Sequence, residues 1–107
     1  MDTLSEWTNE VNASKKLIIV EGRKDKEALV HLGITNTIIP ISNKTHMFFE
    51  TIQEEVIILT DLDKHGKKLY AKIRNNCEKR RIKVDRKFRF FLQKQGLSHI
   101  EGLKERE

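Results

Sequence analysis

Short runs of consecutive branched apolar residues limit what this chain can fold into. The two strongest are Leu17–Val20 and 56–59. Uninterrupted apolar runs of this length indicate strands that are covered on both faces, as in a parallel sheet. Weaker runs at 37–41 and 82–84 predict two more strands. Pro40 places the first of these at an edge of the sheet, or ends it near residue 40, because proline cannot donate a hydrogen bond to a neighbouring strand.

Helical patterns alternate with these strands. Apolar spacing predicts a helix over 25–32, and Gly33 should end it because glycine tolerates a positive φ. Further helices are expected at 44–54 and after Gly66, and residues 1–14 could form a short helix packed through apolar side chains. Alternation of this kind predicts right-handed crossovers and an α/β fold, with a mostly parallel four-stranded sheet and helices on both faces.

Length and composition exclude several classes of protein. The chain has 107 residues, which is enough for one domain. Its longest apolar runs are far shorter than the roughly 18–20 residues of a membrane helix, so no membrane partner is expected. The single cysteine, Cys77, excludes an internal disulfide and a cysteine-rich zinc site and suggests a reducing, cytoplasmic setting. A Walker-type ATPase is excluded because the G-x-x-x-x-G-K-[ST] motif is missing.

The positive charge is concentrated in one part of the chain. The net charge is +5, yet residues 64–89 hold twelve Lys/Arg against two acidic residues, so this segment is +10 and the remainder is −5. Such an asymmetry favours a polyanionic partner, RNA or DNA, although a solvated face of a highly charged protein would also explain it. The candidate nucleic-acid contacts are Lys64, Lys67, Lys68, Arg86 and Arg89.

Three acidic residues follow predicted strands at the point where each strand ends. Glu21 comes directly after the first strand, and Asp61 and Asp63 follow the third. Ligands of open α/β sheets bind beyond the carboxyl ends of the strands, and the i, i+2 spacing places the two aspartates on one side. Three converging carboxylates repel one another unless a cation neutralises them. All-oxygen ligation favours Mg²⁺, with Mn²⁺ as the alternative.

Two segments resemble the motifs of a known family, the Toprim domain. Residues 17–29, with Leu-Ile-Ile-Val-Glu-Gly and a following aspartate, are similar to its first motif, and residues 56–69, with Thr-Asp-Leu-Asp, resemble its second. The resemblance extends over 16–103, which leaves 1–15 as an N-terminal extension and 104–107 as a charged tail. It is strongest to small stand-alone Toprim proteins and to the Toprim part of ribosomal-RNA maturation nucleases and primases.

This resemblance implies a Rossmann-like Toprim fold and a set of site residues. Glu21 matches the family's proposed general acid or base, and Asp61 and Asp63 match its metal-binding aspartates. Three further residues match supporting positions of the two motifs: Gly22, Asp25 and Gly66. The His-Ile-Glu-Gly-Leu segment near the C-terminus resembles a terminal motif of the maturation nucleases, so Glu101 is a possible additional acid.

Three functions remain open from the sequence. The first is Mg²⁺-dependent phosphodiester hydrolysis of nucleic acid, with RNA preferred over DNA by analogy with the maturation nucleases. The second is a non-catalytic nucleic-acid-binding module or a subunit of a processing or repair complex, and a homodimer is possible in either case. A phosphohydrolase with an aspartate nucleophile is disfavoured, because its D-x-D follows the first strand, whereas here Glu21 follows that strand.

Individual residues outside the motifs receive simpler interpretations. Phe88, Phe91 and Leu92 are expected to form the buried stripe of a last helix, which leaves Phe90 as a possible base-stacking residue. The histidines show no recognisable ligand spacing, and His65 is expected to be exposed. The charged tail from about residue 103 is expected to fray.

Overall fold

A single sheet of four parallel strands organises the computed structural model, which describes residues 1–41 and 55–105. The strands are β1 (Leu17–Val20), β2 (Ile38–Pro40), β3 (Glu55–Leu59) and β4 (Lys83–Asp85). Their order across the sheet is β2-β1-β3-β4, and each neighbouring pair is parallel. The predicted α/β architecture is confirmed. Pro40 lies on the edge strand β2, as its missing N–H donor requires.

Four α-helices and one short 3₁₀ helix connect and cover the described strands. They are α1 (Leu4–Ser14), α2 (Arg23–Leu32), α3 (Lys64–Lys79), α4 (Lys87–Lys94) and the 3₁₀ helix Ile100–Glu105. None of the helices within residues 1–41 and 55–105 is long and apolar enough to cross a membrane. The helix predicted at 44–54 lies outside the described residues.

The ends of α2 and α3 show where local sequence signals succeed and fail. Helix α2 ends at Gly33, whose φ is 107°, as predicted for a left-handed cap. Helix α3 was expected to begin after Gly66, but it begins at Lys64. The reason is that Asp63 caps it: its carboxylate accepts a hydrogen bond from the Gly66 N–H at 2.7 Å.

The sheet divides the core into two layers because side chains alternate along each strand. Ile18 and Val20 point to one face, where α1, α2 and α4 pack, and Ile19 points to the other face, where α3 packs. The prediction of helices on both faces is therefore confirmed. The expected buried stripe of α4 is also present, and its most exposed aromatic residue is Phe90.

Helix α1 precedes the first strand and is part of the main core. Trp7 and Val11 are fully buried, and the Trp7 ring meets the Phe88 ring edge-on at a centroid distance of 6.3 Å. The Trp7 Nε1–H donates a hydrogen bond to the Phe88 carbonyl oxygen at 2.9 Å, which satisfies the buried indole donor. The predicted packing of the N-terminal helix is confirmed.

The C-terminal segment is ordered further than its charge suggests. Ile100 and Leu103 are buried in the same core layer as α2 and α4, and the 3₁₀ helix continues through Glu105. For residues 103–105 the expectation of fraying is wrong, because Leu103 buries its side chain and holds the segment against the domain; residues 106–107 lie outside the described residues. This docking brings the residues just before Ile100 to the carboxyl ends of β1 and β3.

Candidate metal site at the carboxyl edge of the sheet

The two central strands define a crevice at their carboxyl ends. Strands β1 and β3 are neighbours, but the chain leaves β1 through α2 on one face and leaves β3 towards α3 on the other. Such a reversal of strand order opens a cleft that α/β proteins use for ligands. Glu21 lies at the end of β1, and Asp61 lies just past the end of β3, so both flank this cleft.

Glu21 contacts the loop that carries the aspartates. Its Oε1 accepts a hydrogen bond from the Asp61 backbone N–H at 3.2 Å. Partial burial raises the pKa of Glu21 above its ordinary value, and the neighbouring Asp61 carboxylate raises it further. Glu21 therefore contacts the backbone of the aspartate loop and holds a proton more readily than a solvated glutamate does, but its side chain lies outside the group of ligand atoms that Asp61 and Asp63 form with His99.

The two aspartates are held by different backbone groups. Asp61 Oδ1 accepts a hydrogen bond from the Ile100 N–H at 2.8 Å. Asp63 Oδ1 accepts from Gly66, and its Oδ2 lies 3.2 Å from the Nε2 atom of His99. The Gly66 amide, followed by the charge of His99, lowers the pKa of Asp63, so this carboxylate is ionised over a wide pH range.

Asp61, Asp63 and His99 together form a group that could hold a cation. One ligand atom from each lies within 4.8 Å of the others. Sequence reasoning missed His99, because its spacing from the aspartates matches no ligand motif. The available signal was its place as the first residue of the terminal His-Ile-Glu-Gly-Leu segment, in which only Glu101 was considered. The donor set of two carboxylates and one imidazole fits a divalent ion such as Mg²⁺ or Mn²⁺.

Gly66 allows the first turn of α3 to lie directly against the aspartate loop. A Cβ atom at this position would overlap the carbonyl group of Asp61, and the Asp61 Cα would be only 2.8 Å away. The Gly66 carbonyl oxygen also accepts a hydrogen bond from the buried Thr60 hydroxyl at 2.8 Å. The glycine of the second motif is therefore required by close packing, because any side chain would push the loop away.

Arg89 lies under this loop. It was expected to contact phosphate on the surface, but only 7% of it is exposed. Its Nη2 donates to the Asp61 carbonyl oxygen at 2.8 Å, and its guanidinium carbon lies 4.4 Å from the centre of the Tyr70 ring. Burial on helix α4 turns Arg89 inward, where it supports the backbone of Asp61.

The remaining acids of the first and terminal motifs lie beside the cleft. Asp25 is 7% exposed, and its Oδ2 accepts a hydrogen bond from the Gly22 N–H at 3.1 Å, which joins the two supporting residues of the first motif. Burial raises the pKa of Asp25 to about 6, with smaller contributions from Asp61, Glu21 and Glu101. Glu101 is exposed and adds to this concentration of negative charge.

Four of the five predicted nucleic-acid contacts are exposed. Lys64, Lys67 and Lys68 lie on the first turns of α3, next to the aspartate loop in the chain. Arg86 is exposed as well and lies 3.4 Å from the carboxylate of Glu78. Basic side chains thus begin one residue after Asp63, so a cationic surface adjoins the acidic cleft.

A parallel α/β sheet with acidic residues at its switch point places this protein among the Rossmann-like α/β proteins. The family model of the Toprim domain matches residues 16–90, and the chain belongs to the Toprim domain family. At the coarse level, this membership links the chain to metal-dependent processing of nucleic acid. His99 and the rest of the C-terminal segment lie beyond the matched residues.

Known relatives extend the similarity over most of the chain. The UPF0292 protein MJ1624 of Methanocaldococcus jannaschii is 38% identical over 102 residues, which cover 87% of this chain and 79% of the relative. The UPF0292 protein PH1700 of Pyrococcus horikoshii is 34% identical over 91 residues, covering 82% and 69%. A solved structure of a protein from Aquifex aeolicus superimposes with a TM-score of 0.85 at 36% identity, covering 94% of this chain and 98% of that one. The relatives are small proteins too, as expected for a stand-alone Toprim protein.

Proposed function

We propose that this protein is a divalent-metal-dependent phosphodiester hydrolase that acts on nucleic acid, with RNA preferred over DNA. The observation that carries the proposal is that the ligand atoms of Asp61 and Asp63 group together at the switch point, where Glu21 contacts the Asp61 backbone. Among residues 1–41 and 55–105, the ion pairs of these carboxylates are limited to the contact between Asp63 and His99. The buried Arg89 offsets part of this charge from beneath the loop, but it contacts the Asp61 carbonyl oxygen and not a carboxylate, so an external cation would relieve the remaining repulsion.

The proposed roles follow from the surroundings of each carboxylate. Asp61 and Asp63 would hold Mg²⁺ or Mn²⁺, because Asp63 remains ionised and backbone amides orient both side chains. The bound ion would supply charge stabilisation for a phosphate oxygen. Glu21 would transfer the proton of the attacking water or of the leaving oxygen, and its raised pKa makes it a better proton acceptor than a solvated glutamate.

The basic surface would position the substrate. Lys64, Lys67 and Lys68 are exposed on α3 immediately after the aspartate loop. They would bind phosphates on either side of the scissile group, and affinity should fall steeply as salt rises because bound counterions are released. Arg86 would extend the same contact. Arg89 would act indirectly, by holding the Asp61 backbone in place.

Nucleic-acid binding without cleavage is a second candidate, and one observation favours it. Both oxygens of Asp63 and one oxygen of Asp61 already have partners within the protein. These contacts satisfy part of the capacity that a metal ion would use. In this case the chain would be a binding module or a subunit of a processing complex, and its affinity for nucleic acid would not depend on a divalent ion.

A nuclease panel separates the two candidates. Single- and double-stranded RNA and DNA are incubated with the protein in Mg²⁺, in Mn²⁺ and in chelator, and binding is measured in parallel. If the protein hydrolyses nucleic acid, cleavage should require the metal ion and be fastest on RNA. The rate should fall by at least about 100-fold in Glu21→Gln, as is usual when an acid–base group is lost, and by a similar factor in Asp61→Asn. Glu10→Gln is the matched control, because Glu10 is exposed on α1 and far along the chain from the cleft.

Each outcome assigns one function. Cleavage that survives both substitutions in the cleft would refute the proposal, because contamination or another site would then be responsible. Binding that resists chelator, with no cleavage under any condition, would favour the binding module. In that case Asp61→Asn should leave affinity for nucleic acid unchanged or improved, because it removes a negative charge near the phosphates.

A further inference from the structure

The segment between α4 and the 3₁₀ helix is fastened to the aspartate loop on both sides of one residue. The Leu62 N–H donates to the Ser98 carbonyl oxygen at 2.8 Å, and the Ile100 N–H donates to Asp61 Oδ1 at 2.8 Å. The residue between these two anchors is His99. Because Ile100 is fully buried, the anchors hold the His99 backbone against the cleft and leave its side chain at the rim.

The His99 ring is oriented as a metal-ligating histidine would be. Its Nε2 faces Asp63 Oδ2 at 3.2 Å, and its Nδ1 lies 3.2 Å from the Ser98 hydroxyl. Neighbouring ligands of an octahedral ion at roughly 2.1 Å are about 3 Å apart, so the first distance suits two ligands of one cation. Without a metal ion, Nε2 can donate its proton to Asp63; binding of an ion would release that proton, and an Nδ1–H donated to Ser98 would then leave the Nε2 lone pair for the ion, as is usual for histidine ligands.

We propose that His99 is a third protein ligand of the metal ion, and that its imidazole makes the site select Mn²⁺ over Mg²⁺. The inference rests on the proposed function, because it requires the aspartates to bind a divalent ion. Mg²⁺ prefers oxygen ligands, whereas a nitrogen donor favours transition-metal ions, among which Mn²⁺ is the one that also suits two carboxylates. The ligand comes from outside the residues that the family model matches, so the C-terminal segment sets the metal preference of this chain.

Calorimetric titration of the full chain with Mn²⁺ alone and with Mg²⁺ alone tests the selectivity. The wild type should bind Mn²⁺ at least about tenfold more tightly than Mg²⁺. His99→Gln should weaken Mn²⁺ binding by about tenfold or more and change Mg²⁺ binding much less. Loss of a residue that only hydrogen-bonds to a metal ligand already weakens metal affinity by about tenfold, so loss of a ligand itself should weaken it at least as much. Equal losses for both ions, or no loss, would overturn the inference.

Pulsed electron paramagnetic resonance of the Mn²⁺-loaded protein gives an independent readout. The ¹⁴N modulation of a directly bound imidazole should be present in the wild type and lost in His99→Gln. His65→Gln is the matched control, because His65 is an exposed histidine two residues after Asp63. Loss of the signal in His65→Gln, or its absence from the wild type, would overturn the assignment whatever the folding of the His99 variant.

Asp61→Asn distinguishes the inference from the proposed function. If this substitution abolishes binding of both ions while His99→Gln leaves Mn²⁺ binding unchanged, the metal site stands and the role of His99 falls. If the wild type binds neither ion at millimolar concentration, the proposed function and the role of His99 both fall. Selective loss of Mn²⁺ affinity in His99→Gln supports both.

Discussion

The carboxylates at the two ends of the central strands differ in how their charge is neutralised. Where β1 and β3 begin, Lys16 Nζ lies 2.6 Å from both Glu55 Oε2 and Asp85 Oδ2, so one internal cation neutralises two acids. Where these strands end, Glu21 and Asp61 lie in contact, and no lysine or arginine of the described residues bridges them. The first arrangement is complete within the protein, whereas the second leaves charge for an external cation.

Backbone packing distinguishes the edges as much as charge does. At the carboxyl edge, the first turn of α3 touches the aspartate loop through Gly66, and Arg89 holds the same loop from beneath. The loop is therefore prearranged by the fold. At the other edge, the long side chain of Lys16 makes the contacts, and a side chain of this kind adjusts more easily than backbone does.

The largest expected effect comes from Gly66→Ala, which breaks the packed edge. The new Cβ would overlap the Asp61 carbonyl, so the free energy of unfolding should fall by about 3 kcal/mol or more, as for severe overpacking. Denaturant titration measures this loss. Gly22→Ala is the control, because nothing lies within 4 Å of a Cβ at that position, and it should cost less than about 1 kcal/mol. Similar losses in both variants would contradict the packing argument.

Adding a divalent metal ion tests whether the carboxylates at the carboxyl ends of the strands need an external cation. At a 100-fold excess over its dissociation constant, Mg²⁺ or Mn²⁺ should stabilise the wild type by about 2.7 kcal/mol, and chelator should reverse the effect. Asp61→Asn should lose this gain, whereas Asp85→Asn, which removes an acid paired with Lys16, should keep it, although its stability without metal is lower. Thermal unfolding with and without the ion measures both. An equal gain in the two variants would mean that the ion binds elsewhere.

The dependence of stability on pH tests the burial of Asp25. Its pKa is raised from 3.8 to about 6, so the folded state binds the proton more tightly than the unfolded state does. The resulting stabilisation is complete below pH 3.8 and is lost as pH rises through about 6. In chelator at pH 8, Asp25→Asn should therefore be more stable than the wild type by about 1–2 kcal/mol, with the gap closing towards pH 4. A constant gap would contradict this cause.

Replacing Lys16 should have a smaller effect on the free energy of unfolding. Lys16→Met leaves Glu55 and Asp85 without their shared partner and should destabilise the fold by about 1 kcal/mol at neutral pH. The pKa of Lys16 is raised, chiefly by Asp85, so its contribution should be present below pH 10.5 and lost as pH rises further. Arg23→Met is the control for an exposed pair with Glu27, and it should change stability by less than about 0.5 kcal/mol.

Much of the fold was predictable, because its signals are local. The apolar runs of β1 and β3 and the positive φ of Gly33 depend on residues close in the chain. The start of α3 was not predicted, because glycine was taken as a boundary, whereas capping by Asp63 placed Gly66 inside the helix. Strand-end acids were predictable for a related reason: parallel strands end at one edge, so Glu21 and Asp61 had to approach each other.

The amino-acid sequence by itself determined the parallel sheet and the acidic residues at the carboxyl ends of β1 and β3. Only the tertiary structure decided that Arg89 turns inward and that His99 reaches Asp63. The physical reason is that strand and helix periodicity is set by neighbours in the chain, whereas these two contacts depend on how the C-terminal segment buries Ile100 and Leu103 against the domain.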